Sequence, residues 1–127
     1  MIDQLEAQAQ EIQTYCEIQV SDNTAEISER IATLAAYHSR TCLMLAEAKH
    51  ILNQAMFSEV IQLISRITDG KYSAKVQNAL VDSVARRERR LVDWIDRLNS
   101  TCKHQMDACR SLLSFEKENL RIAKQGY

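Results

Sequence analysis

The chain has 127 residues, 46% hydrophobic and 26% charged, with a formal net charge of −1, which fits one globular domain over residues 1–127 and excludes a disordered or collagen-like chain. It contains no proline and only two glycines, so the residues that most readily end a helix are nearly missing and long helices are expected. No stretch reaches the roughly 18 to 20 consecutive apolar residues of a membrane span, and the first segment opens on Asp3 and Glu6, so neither insertion nor export is expected.

Residues Ile2, Leu5, Ala9, Ile12 and Cys16 fall on one stripe, with Gln4, Gln8, Gln10, Glu11, Gln13 and Glu17 on the other faces, which predicts a first helix over 2–19. Its seam can be buried within the chain or between chains, so a homo-oligomer is open at this point. Ser21, Asp22 and Asn23 then offer capping oxygens, and Asn23 with Glu26 has capping-box spacing. From Ile27 through Ile31, Leu34, His38, Thr41, Leu45, Ala48, Leu52 and Ala55 the three-four spacing persists, and Val60, Ile61, Leu63, Ile64 and Ile67 widen the apolar face before Asp69-Gly70. A helix of about 45 residues spans on the order of 65 to 70 Å, too long for a compact globule of this size.

Gly70 suits a left-handed helix end, Lys71 and Tyr72 complete a reversal, and Ser73 can cap a new helix. A short helix over 74–81 is expected, then a break at Asp82 and Ser83 that caps a last helix over 84–122, fraying after Ala123. That helix carries Leu91, Trp94, Ile95, Leu98, Cys102, Gln105, Cys109, Leu112 and Leu113 at the same spacing. The fold class is therefore all-α: an elongated antiparallel, coiled-coil-like hairpin of two long helices, with a shorter N-terminal helix and a short helix after the residue-70 turn.

Charge is unevenly divided. Residues 1–68 hold 4 basic and 9 acidic side chains, residues 69–127 hold 12 and 8, and complementary halves favour packing against each other. The densest cluster, Arg86, Arg87, Arg89 and Arg90 with Arg97 and Lys103, is the candidate nucleic-acid-binding face, because such clusters bind phosphate backbones and release counterions. Glu88, Asp93, Asp96 and Asp107 interleave it, which favours a solvated or acid-paired face. The aromatics Tyr15, Tyr37, Phe57, Tyr72, Trp94 and Phe115 are scattered instead of joining the basic run, so core filling is expected for most of them and base stacking is disfavoured.

His38, Arg40 and Thr41 interrupt one apolar seam, and Asn99, Thr101, His104 and Gln105 the other. Reversal about residue 70 brings residue 38 opposite about 102, so His38, Thr41, Asn99, His104 and Gln105 form an expected structural polar layer that sets register. An enzyme site around His38 and His104 is the competing reading, and no serine, cysteine or carboxylate is spaced to pair convincingly with either. Glu47 and His50 form a lone ExxH unit where a di-metal centre needs two. Cys16, Cys42, Cys102 and Cys109 include no CxxC pair and read as reduced, buried apolar fillers of a cytoplasmic protein. His38 with Cys42 has metal-ligand spacing, whereas Cys102 and Cys109 lie about 10 Å apart along a helix; neither a metal nor another cofactor is expected.

The segment Asp93-Trp94-Ile95-Asp96-Arg97-Leu98-Asn99, continuing through His104 to Ser114 and Lys117-Glu118, resembles the C-terminal helix of small all-helical proteins carried by bacteriophages, prophages and other mobile elements. Leu45-Ala46-Glu47-Ala48 and Lys71-Tyr72-Ser73 fit the same pattern, extending the resemblance over about residues 40–120. It implies a DNA-related accessory role. A proline common in that group near Ala85 or Arg86 is missing here. The expected function is a non-enzymatic helical module that binds a protein partner, with a nucleic-acid-binding accessory protein in replication or recombination as the alternative.

Overall fold

Helix formation follows the periodicity closely. The computed structural model describes residues 1–70 and 73–125, which form α1 (Ile2–Cys16), α2 (Thr24–Asp69), α3 (Ala74–Asp82) and α4 (Arg86–Gln125). Among the described residues no helix is long and apolar enough to cross a membrane.

α1 stops at Cys16, three residues short of the expected end. Its apolar stripe finishes there, Ile18 is exposed, and the Ile18 N–H turns back to the Tyr15 carbonyl at 3.1 Å, a tightened last turn. α2 starts as its capping residues require: the Asn23 Oδ1 accepts the Ala25 and Glu26 N–H groups at 2.9 and 3.2 Å. The reciprocal half of the capping box is supplied by Ser21, whose Oγ accepts the Asn23 N–H at 3.1 Å, and not by Glu26.

α2 and α4 pair antiparallel in the register expected for a reversal at residue 70, with Asn99 bonded to Thr41 at 2.9 Å. α1 runs parallel to α4, since Glu6 meets Arg87, Gln13 meets Trp94 and Cys16 meets Cys102. The seam of α1 is therefore buried within the chain. One core joins Leu5, Ala9 and Ile12 of α1 to Ile27, Leu34, Met44 and Ala48 of α2 and to Leu91, Ile95, Leu98, Cys102, Met106 and Cys109 of α4. In α2 the seam repeats every seven residues through Ile27, Leu34, Thr41 and Ala48, the period of left-handed coiled packing.

The hairpin end departs more from expectation. Gly70 is extended (φ −115°, ψ 157°) and not left-handed, while the expected Lys71-Tyr72 reversal lies outside the described residues. Ser73 caps α3, its Oγ accepting the Val76 N–H at 3.3 Å. Ser83 does not cap α4: its hydroxyl donates back to the Leu80 carbonyl at 2.7 Å, and α4 begins at Arg86 and continues to Gln125, beyond the expected fraying point. Before it stands Ala85, buried, with φ 55°, a conformation in which Cβ crowds the backbone at a cost of about 1 to 2 kcal/mol. Its N–H is held by the Glu59 Oε2 of α2 at 2.7 Å. Leu63, Val84 and Ala85 form a small second core, with Leu52, Ala55, Met56, Val60, Ile67 and Leu80 packed on it.

A proline at position 85 is incompatible with this joint, because its ring holds φ near −65°. Ala85→Gly should stabilise the protein by about 1 kcal/mol, because the cost of a Cβ at positive φ outweighs the added freedom of the unfolded glycine; urea unfolding of the two forms checks this.

Candidate functional site

The basic run divides once folded. Arg87 turns toward α1, where its Nε donates to the Glu6 carboxylate at 2.6 Å and its other end pairs with Asp3. These two carboxylates raise its already high pKa. The acids that neutralise it thus come from another helix and not from the interleaving Glu88 and Asp93. Arg86, Arg90 and Arg97 are exposed, as is Lys103, and their spacing places the three arginines on one face of α4 with Asp93 among them. Arg89 already has an interaction partner. Arg90 lines a cleft with Glu6, Arg87 and Trp94, so only part of the six-residue set remains a free cationic face.

The polar layer forms, with changed membership. The Asn99 amide donates to the His38 carbonyl at 3.2 Å and the Thr41 Oγ1 at 2.9 Å, and lies 3.2 Å from the Cys42 Sγ. The fully buried Thr41 hydroxyl in turn donates to the His38 carbonyl at 2.9 Å. His38 thus contributes its backbone, with a half-buried ring, whereas His104 and Arg40 are exposed and outside the layer. An exposed His104 fails because residue 104 falls beside the seam that Cys102, Met106 and Cys109 follow.

Gln105 makes the connection of widest reach. Its Nε2 donates to the Cys16 carbonyl at 2.9 Å, closing the end of α1, while its Oε1 accepts from the Arg30 guanidinium at 3.0 Å. Arg30, only 7% exposed, lies 5.0 Å from the Tyr15 ring centroid, and Tyr15 meets Tyr37 edge-on at 5.3 Å. No carboxylate pairs with Arg30 among the described residues, and its Nε has no hydrogen-bond partner. The periodicity through Ile27, Ile31 and Leu34 passes Arg30 by; the missed signal is its place seven residues before Tyr37 and fourteen before Met44, on the other edge of the same seam.

Cys16, Cys102 and Cys109 are buried, as expected of apolar fillers, but Cys42 is exposed. The Cys16 and Cys102 sulfurs lie 3.9 Å apart. Burial raises the Cys16 thiol and pushes the Cys102 thiol up to about 12 from the ordinary 9.0. Glu47 and His50 are both exposed, as expected.

The back of α2 departs most from the pattern expected of a covered apolar face. Phe57 is 72% exposed and Phe115 61%, so these two aromatics do not fill the core. Leu43, His50, Phe57 and Ile64 recur every seven residues with Ile61 between the last two, and Leu43, Ile61 and Ile64 are 74%, 54% and 58% exposed. This rank lies opposite the seam that packs on α4. Between His50 and Thr68, α2 carries only two charged residues, Glu59 and Arg66. Glu59 is drawn to the Ala85 N–H, and Arg66 lines a cleft with Leu80 and Val84, so the outer face around Phe57, Ile61 and Ile64 is uncharged, whereas exposed Arg40 and Glu47 flank Leu43. Widening of the apolar pattern after Val60 was the visible signal, and it reflects two opposite faces instead of one broad one.

Gln105→Ala orphans both the Cys16 carbonyl and an Arg30 N–H and should cost about 2 to 4 kcal/mol in urea unfolding. Arg30→Met, which removes an incompletely satisfied buried cation, should change stability by no more than about 1 kcal/mol; the reverse order would overturn this account of the layer. The buried thiols favour the protonated form, which is also the unfolded chain's form below about pH 8, so their contribution is fully present there and is lost as pH rises from about 9 toward 12. Melting temperature should hold up to about pH 8.5 and fall above it, less steeply in Cys102→Ala. Compared with protein-family models, with curated proteins and with solved structures, the chain matches none.

Proposed function

We propose that this chain is a non-enzymatic helical interaction module that binds a protein partner through the outer face of α2. The observation that carries the reading is the exposed cluster Phe57, Ile61 and Ile64 on a stretch of the face, between His50 and Thr68, that is without charge. A helix that lays apolar residues at seven-residue intervals toward solvent offers another helix the same packing geometry as its buried seam, and large side chains recurring this way mark binding surfaces more often than isolated exposed residues do. His38 and His104 offer little to an enzyme reading, since the first lends its carbonyl to Asn99 and the second stands out in solvent. A role as a mobile-element accessory factor rests on the resemblance over residues 40–120 alone.

Nucleic-acid binding would use Arg86, Arg90 and Arg97, because Arg87 is engaged by Asp3 and Glu6. The two readings separate in one set of experiments. Tagged wild-type protein, Phe57→Ser/Ile61→Ser and Arg86→Ala/Arg90→Ala/Arg97→Ala are compared for captured protein and, by light scattering at low and moderate salt, for mass shift on adding short DNA. The expected result is a captured protein lost with the apolar pair and retained with the arginine variant, and no DNA-dependent shift. A salt-sensitive shift abolished by the arginine replacements would overturn the proposal.

A further inference from the structure

Resting on the reading of the α2 outer face as a binding surface, we infer that its occupant is a second copy of this chain. Phe57, Ile61 and Ile64 together expose about 350 Å² of apolar surface, within the size range of patches that on a monomer are often functional. Two such faces remove roughly 700 Å² of apolar surface from water, and the neutral rim of Gln54, Ser58, Ser65 and Thr68 brings the total to about 1,000 Å², the size at which a specific interface begins.

Charge selects the same occupant. Partners are commonly discriminated by complementary potentials, and between His50 and Thr68 this face has none to offer, since Glu59 and Arg66 are committed to the side facing Ala85 and Leu80. A copy of itself is the surface that matches it without an unpaired charge: apolar rank on apolar rank, amide and hydroxyl rim on amide and hydroxyl rim, related by a two-fold axis. A net charge of −1 adds almost no repulsion between copies. The exposed apolar residues of α4, Phe115, Leu120 and Ile122, are interleaved with Glu116, Lys117, Glu118, Arg121 and Lys124 and form no such neutral face, and Met1, Ile18 and Val76 stand apart from one another.

Sedimentation equilibrium of the full chain between about 1 and 500 µM tests the inference. Wild type should approach twice the 14.6 kDa chain mass. Ile61→Asp, which places a carboxylate from each copy in the seam, should raise the dissociation constant at least about 100-fold while circular dichroism shows the helix content intact, and Leu120→Asp should leave association unchanged. A wild type that stays at the single-chain mass throughout, or a dimer that Ile61→Asp leaves intact, overturns it. If wild type is monomeric while Phe57→Ser/Ile61→Ser still loses a captured protein, self-association alone falls; if capture is unaffected as well, the binding surface falls with it.

Discussion

The three-helix packing depends on Gln105. Three helices meet where its amide donates to the last carbonyl of α1 and accepts from the guanidinium of Arg30 on α2. A helix C-terminus leaves carbonyls without partners, and one buried at a junction must find a donor or pay for desolvation. Gln105 supplies that donor from α4, so the end of α1, the position of Arg30 and the rotation of α4 are set together. Hydrophobic contacts alone would tolerate α1 sliding by a turn along the α2–α4 groove; this amide does not. Thr41 and Asn99 perform the corresponding task between α2 and α4, two turns away along α4.

The reason Arg30 lies in the interior is geometric and not electrostatic. Seam positions on α2 need side chains that reach across to α4 near the open end of the hairpin, and a long side chain capped by Tyr15 and Gln105 fills that span. Its methylene stem packs while its head is only partly satisfied. Such a group specifies one arrangement more than it stabilises it: an alignment that carried Gln105 away from it would leave the buried guanidinium without its one side-chain acceptor among the described residues.

The antiparallel register of the hairpin and the capping of α2 by Asn23 were legible in the sequence because they depend on local signals: period and a side-chain oxygen at the right offset. The polar layer was legible in part, since Thr41, Asn99 and Gln105 interrupt apolar seams, but exposed His104 and buried Arg30 show that a residue one step off the seam can fall on either side of it. The start of α4 was illegible for a different reason. Ala85 offers no capping side chain, and the group that holds its N–H, Glu59, is 26 residues away. The outer rank on α2 was misread because apolar residues after Val60 serve two faces, and period alone does not say which of two opposite stripes is covered.

The two cores of this rod are of very unequal size: one gathers residues from three helices, the other only Leu63, Val84 and Ala85 with their partly buried neighbours. Cooperative opening should therefore be graded along the long axis, with the hairpin end exchanging its amide hydrogens through sub-global fluctuations while the α1 end exchanges only on complete unfolding. Most of the exposed rank on α2 lies on that weakly held end. Whatever covers it would suppress those fluctuations and slow exchange there, while leaving the rate-limiting unfolding of the larger core almost unchanged.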